Sequence, residues 1–199
     1  MADQNDPRLE VLFKNLKTSV SLKKVSSIEI QIWEIWLEHH NPKAKNSMFL
    51  GIAAMNNQQF EKALEYFRLL TEIEPDFAEG WNKRATVYYL MGRIKESEED
   101  ALRTLKLEPR HFGAHSGLGL IRMALGDWPG AITALEAALR VHPHMSGVIR
   151  NLKYVRKKLN ESTTSNVEHL LYSSFTPITT FTNITSNMAV QIRRFTFIQ

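Results

Sequence analysis

Three prolines at one fixed interval constrain this chain more than any other feature. Pro75, Pro109 and Pro143 lie 34 residues apart. Each closes a similar string: Glu72-Ile73-Glu74-Pro75, Lys106-Leu107-Glu108-Pro109 and Arg140-Val141-His142-Pro143. Stepping back from each proline divides the chain into three ungapped units, 44–77, 78–111 and 112–145. Self-similarity at this period marks a repeat architecture. Each unit is too small to bury its apolar face alone, so neighbouring units stack into one continuous core.

Inside each unit, apolar residues recur at three- and four-residue spacing, which predicts two amphipathic helices. Position eight is Gly51, Ala85 and Gly119, and position twenty is Ala63, Ser97 and Ala131. Residues this small let paired helices approach closely beside bulky neighbours at positions seventeen and twenty-four. Position fifteen is Gln58, Gly92 and Gly126, in the turn between the helices, where glycine takes a positive φ at little cost. The proline stops the second helix because it cannot continue the backbone ladder. In the second unit Glu96, Glu98, Glu99 and Asp100 precede Arg103 and Lys106, an order that suits the helix dipole.

These units resemble the tetratricopeptide repeat, on Leu50-Gly51 and Ala63-x3-Phe67 in the first, Trp81 and Tyr88 in the second, and Leu118-Gly119 and Ala131 in the third. Arg84 stands where the family usually has Leu, Arg122 where it has Tyr, and Ala101 where it has Phe. The resemblance implies an all-α, right-handed α-solenoid of three repeats with flanking capping helices. The strings Glu79-Gly80-Trp81-Asn82-Lys83-Arg84-Ala85 and Pro109-Arg110-His111-Phe112-Gly113-Ala114 also resemble a poorly characterised subgroup of such proteins in bacteria and plants. We expect a cytoplasmic protein, with a plant mitochondrion or chloroplast as the alternative address.

A stack of three repeats needs a cover at each end. Residues 146–160 predict a C-terminal capping helix, apolar on one side and basic on the other. Residues 1–43 predict two helices, about 8–16 and 27–40, acting as a cap on the first repeat or as a degenerate leading repeat. Ile28, Ile32, Trp33, Trp36 and Leu37 form the apolar stripe of the second. Residues 161–199 differ: 13 of the 39 are Ser or Thr and four are charged. Their aromatic and β-branched residues favour strand over helix, so a weakly ordered tail is expected there. Its charges cancel, which leaves the formal net charge of +4 to residues 1–160.

Composition narrows the chemistry. With no cysteine, the chain has no disulfide framework, thiol nucleophile or thiolate metal site. The seven histidines, among them His39-His40, His111 with His115, and His142 with His144, lack carboxylates at metal-ligand spacing. No phosphate loop, nucleophile elbow or HExxH motif occurs. The sequons at Asn160 and Asn183 are read as chance matches. No run is apolar and long enough to cross a bilayer, and the polar start lacks the profile of a secretory leader. No catalytic residue, cofactor or metal is therefore expected.

The resemblance implies a concave groove lined by the first helix of each repeat, at positions two, five, six, nine, twelve and thirteen. We expect the partner-binding residues there to include Met48, Phe49, Ile52, Met55, Asn82, Lys83, Tyr89, Leu120 and Met123. Family members that act as heat-shock co-chaperones clamp a C-terminal carboxylate with Lys, Asn and Arg at set positions. This chain offers Met48, Ile52, Lys83, Gly113 and Gly117 at those positions, so a carboxylate clamp is not expected. The expectation is a non-enzymatic scaffold that binds a peptide or helix segment of a protein partner. Alternatives are a regulatory or assembly subunit using its convex face or tail, and an RNA-binding helical repeat, which the modest charge disfavours. The oligomeric state is open. A competing possibility is that the N-terminal helices or the tail fold back into the groove.

Overall fold

The structure, a computed structural model, describes residues 4–173. Among them it has helices and no strands, in the order α1 (Arg8–Thr18), α2 (Leu22–Leu37), α3 (Pro42–Asn56), α4 (Phe60–Ile73), α5 (Ala78–Leu90), α6 (Ile94–Leu107), α7 (Phe112–Ala124), α8 (Trp128–Val141) and α9 (Ser146–Ser173). α3 to α8 are three helical hairpins, with Pro75 and Pro109 in the links between them and Pro143 in the link to α9, and each second helix ends two residues before its proline. The turn inside each hairpin is one structure repeated. Gly92 and Gly126 have φ of 73° and 74°, and Gln58 takes the same left-handed conformation at 58°. The N–H of the next residue then bonds a carbonyl five residues back in all three, as in Arg93 to Tyr88, Asp127 to Arg122 and Gln59 to Ala54.

The small residues do what their spacing predicts. A Cβ on Gly51 would stand 2.5 Å from Cε1 of Phe67, and one on Gly119 would stand 2.7 Å from Cγ of Leu135. In the second hairpin both partners are small: Ala85 and Ala101 are buried, and Ile121 of the next repeat joins their cluster. Ser97 Oγ donates to the Ala85 carbonyl at 2.8 Å, tying α6 to α5. Arg84 forms a largely buried bridge. It donates to both carboxylate oxygens of Asp100 at 2.7 and 2.8 Å and to the Thr71 hydroxyl at 2.8 Å, joining α5 to α6 and α4. Burial raises the Asp100 carboxyl above its ordinary range despite this pairing.

Two flank expectations need correction. α9 does not stop near residue 160 but continues to Ser173. Its first turns are held by Val148, Leu152 and Val155, packed on Ala131, Leu135 and Ala138 of α8. Beyond them the hydroxyl-rich sequence stays helical. Ser162 Oγ returns a hydrogen bond to the Leu159 carbonyl at 2.7 Å, and Lys158 pairs with Glu161 at 2.8 Å. Hydroxyl groups satisfied along the helix are compatible with it. Residues 174–199, where strand-favouring side chains were expected in the tail, lie outside the described residues.

The second correction concerns α1 and α2. They are not primarily a cover on the first repeat. Leu37 packs on that repeat's core. The rest of the stripe joins Leu9, Phe13 and Leu16 of α1 with Phe112, Val141 and Met145 of the third repeat. The apolar face of α2 was legible, but its target was not, because no local period specifies which distant surface an amphipathic helix meets.

Candidate functional site

α5 packs against both α3 and α7, so the first helices of the repeats lie side by side and form one face of the stack. Phe49 stands out on it at 70% exposure, and Leu90 at 49%. Ile52 and Met55 are half-buried against the first-repeat core. Tyr89, Leu120 and Met123 are also half-buried. Burial holds the Tyr89 phenol above its ordinary range. Beside Leu120, Gly117 faces open space, with no atom within 4 Å of where a Cβ would stand. Met48, by contrast, is only 4% exposed and belongs to the core, so it cannot meet a ligand as expected. Asn82 is buried as well, and Lys83 is half-buried.

The burial of Lys83 has a specific cause. The α1–α2 hairpin lies across the N-terminal ends of α5 and α7. Trp36 stacks on His111 with ring centroids 4.1 Å apart and planes 8° from parallel. Trp33 meets His111 and Phe112 edge-on at 5.6 and 5.3 Å. A Cβ on Gly113 would stand 2.8 Å from the Trp33 ring, so the glycine makes room for the indole. Lys83 Nζ lies 5.4 Å above the centre of Trp33, a cation–π arrangement.

Under the indoles sits a polar knot. Glu79 is 1% exposed and His111 is fully buried. Glu79 Oε2 lies 2.8 Å from His111 Nε2 and accepts from Asn82 Nδ2 at 3.0 Å, while Oε1 pairs with Lys83 at 3.1 Å. The backbone N–H of Ala114 donates to His111 Nδ1 at 3.0 Å. That bond assigns the ring proton to Nε2, which donates to Glu79. Burial acts to raise the Glu79 carboxyl, but the Lys83 charge and the His111 hydrogen bond outweigh it and hold it below the ordinary carboxylate range.

The same hairpin is fastened at every inter-repeat turn. Gln4 donates to the Asp76 carbonyl at 2.6 Å. His39 lies 3.6 Å from Glu74, and Asn41 donates to Glu74 at 2.8 Å. Arg110 pairs with both Glu108 and Glu10. Glu29 lies 3.2 Å from His142 Nε2. The hydrogen bond with His142 is the main cause that holds the Glu29 carboxyl below its ordinary range. Among the described residues no three metal-ligating side chains converge. His39, His111 and His142 are engaged in these carboxylate, backbone and ring contacts.

Sequence reasoning did not include Glu29, Trp33, Trp36, His111 and His142 among the residues that shape this region. The apolar stripe of residues 28–37 was the available signal. Nothing in the repeat period pointed from it to residues 111–145.

With this geometry in view, likeness to known proteins is informative. The family model described as tetratricopeptide repeat matches residues 50–109 and 82–146. A TPR repeat-containing protein of Rhizobium etli is 33% identical over 136 residues, covering 68% of this chain and 67% of the relative. The heat-shock protein cognate co-chaperone sgt12 of Aspergillus fumigatus is 27% identical over 114 residues, or 56% of this chain, and the match spans only 33% of the co-chaperone. Among solved structures, the Sgt2 TPR domain from Aspergillus fumigatus superposes with a TM-score of 0.60 at 22% identity, covering 73% of this chain and 92% of that domain. The first TPR of Spaghetti (RPAP3), bound to an HSP90 peptide, gives 0.59 at 19% identity, covering 61% and 96%. Likeness at these identities speaks to the fold.

Proposed function

Because the chain belongs to the tetratricopeptide repeat family, we propose that it is a non-enzymatic protein-interaction scaffold that binds an apolar segment of a partner along the open part of its inner face. The observation that carries this reading is what α1 and α2 leave uncovered. Phe49 and Leu90 are exposed, and the space beside Gly117 is empty. Ile52, Tyr89 and Leu120 lie half-buried between them. Apolar side chains displayed on a rigid scaffold favour a peptide or helix that brings its own apolar anchors.

The neighbours that hold heat-shock peptides do not transfer their ligand to this chain. Met48 is in the core, Lys83 is engaged by Glu79, and Gly113 and Gly117 have no side chain to offer. A clamp for a terminal carboxylate therefore lacks its cations here.

The test is affinity capture with Phe49→Ala combined with Gly117→Leu. Both positions are outside the core, and the leucine would fill the empty space. Loss of the partners retained by the unaltered chain, at helicity and Tm no lower than its own, supports the reading; retention of every partner refutes it. Removing residues 161–199 should leave capture intact. If capture is lost instead, the contact belongs to the tail, as in a regulatory or assembly subunit.

A further inference from the structure

The seat occupied by α2 differs from an ordinary core contact in three ways. First, its floor is partly polar, and the polar groups bond within the repeats rather than to the hairpin. Glu79 Oε2 accepts from Asn82 and His111, Oε1 is left with the Lys83 ion pair alone, and all four residues come from the repeats. The hydrogen bonds of this polar part lie within the repeats and do not need α2, while Phe112 is the apolar part that α2 covers. Second, outside the apolar cluster around Phe112 the hairpin is fastened by side-chain contacts at the turns, such as Gln4 with Asp76, Arg110 with Glu10 and His142 with Glu29. The covalent link to α3 is the short segment 38–41. Third, the fit is imperfect. Trp36 Nε1 is buried with no hydrogen-bond acceptor, and a buried unpaired donor weakens the occupant that carries it.

From these observations we propose that the N-terminal ends of α5 and α7 form a helix-recognition surface, that α2 is its resident occupant, and that its exchange partner is an amphipathic helix bearing two aromatic side chains three residues apart. The second aromatic is phenylalanine. It keeps the flat stack on His111 and has no N–H to leave unpaired. The first is an indole or ring of similar reach, lying on Gly113 and under Lys83. A carboxylate four residues before the first aromatic meets His142, as Glu29 does. A partner with these features displaces α2 and releases the hairpin. This surface adjoins the open stretch around Phe49 and Gly117 along α7, but the probe below is the chain's own sequence and reads only the seat of α2. The outcome therefore does not depend on the reading of that stretch.

The experiment uses the full chain and a fluorescently labelled synthetic peptide of residues 22–37, read by anisotropy. In the intact chain the tethered α2 competes at an effective concentration on the order of millimolar. A Trp33→Ala, Trp36→Ala double variant empties the seat and should bind the peptide at least about tenfold more tightly, since affinity scales with the fraction of open seats. A peptide with Trp36→Phe should bind this variant more tightly than the parent peptide, and adding Gly113→Leu should abolish binding. Equal binding to variant and unaltered chain, or binding to neither, overturns the proposal. Hydrogen exchange on the unaltered chain is a second measurement that does not rely on the variant folding. Amides of α1 and α2 should exchange together and well before those of α5 and α7. If they exchange as slowly as α5 and α7, α2 is core and the proposal fails.

Discussion

Two glycines in one helix give a sharp test of how the repeats pack. Gly117 and Gly119 both lie inside α7, two residues apart. Replacing either with alanine raises helix propensity by the same amount, about 0.5–1 kcal/mol. Their surroundings differ completely. A Cβ on Gly117 meets nothing within 4 Å, whereas one on Gly119 meets Leu135 of α8, with Cγ at 2.7 Å and Cδ2 closer still. Leu135 is fully buried, so it has nowhere to retreat. Overpacking of this kind costs about 1–3 kcal/mol. Gly117→Ala should therefore be stabilising by about 0.5–1 kcal/mol. Gly119→Ala should fall below it by the overpacking cost alone, because the propensity gain cancels between the two. Chemical denaturation measures the difference directly, and for a chain of this size each kcal/mol corresponds to about 2–4 °C in Tm. Gly119→Leu should loosen the stack further. If both alanine variants gain stability equally, α7 does not meet α8 at Gly119 and the assignment of repeat positions is wrong.

Other outcomes follow from the same structure. Gln58→Gly should stabilise the chain by about 0.5–1 kcal/mol in thermal or urea unfolding, because it relieves a left-handed conformation that costs a side-chain-bearing residue about 1–2 kcal/mol; no change would mean the turn adapts. Arg84→Leu should cost about 3–5 kcal/mol by stranding the buried Asp100 carboxylate, and Asp100→Ala added to it should recover much of that loss; strict additivity in a double-mutant cycle would refute the bridge. Glu79 and Glu29 both sit below their ordinary range when folded, so the stability they contribute is present above about pH 4.3 and is lost as the pH falls further and they take up protons. Tryptophan fluorescence in a chain with Trp81 and Trp128 replaced by Phe, so that it reports on Trp33 and Trp36, should change below that pH, and Glu79→Gln should flatten the response. A profile unaffected by Glu79→Gln would show that the carboxylate does not hold the seat.

The departures from the family pattern show how far residue-by-residue reading reached. Arg84 and Ala101 looked like weakened hallmarks. Both have compensations that only neighbours in space supply: Asp100 and Thr71 around the guanidinium, and Ala85 and Ile121 beside the small alanine. Met48 looked like a groove residue from its position in the repeat, but it turns into the core. The start of the tail looked irregular from its hydroxyls, but α9 runs on to Ser173.

By itself, the sequence determined the helices, their pairing and the turns between them. Those depend on contacts within one 34-residue period, so spacing, small residues, Gly92, Gly126 and the three prolines encode them locally. What only the tertiary structure decided is the fate of residues 4–41, which repeat nothing. Their placement rests on Glu10 with Arg110 and Glu29 with His142, pairs separated by 100 and 113 residues. Such contacts depend on surfaces that exist only once the solenoid has formed. An amphipathic helix announces that it will be covered, and the shape and charge of the assembled repeats choose by what.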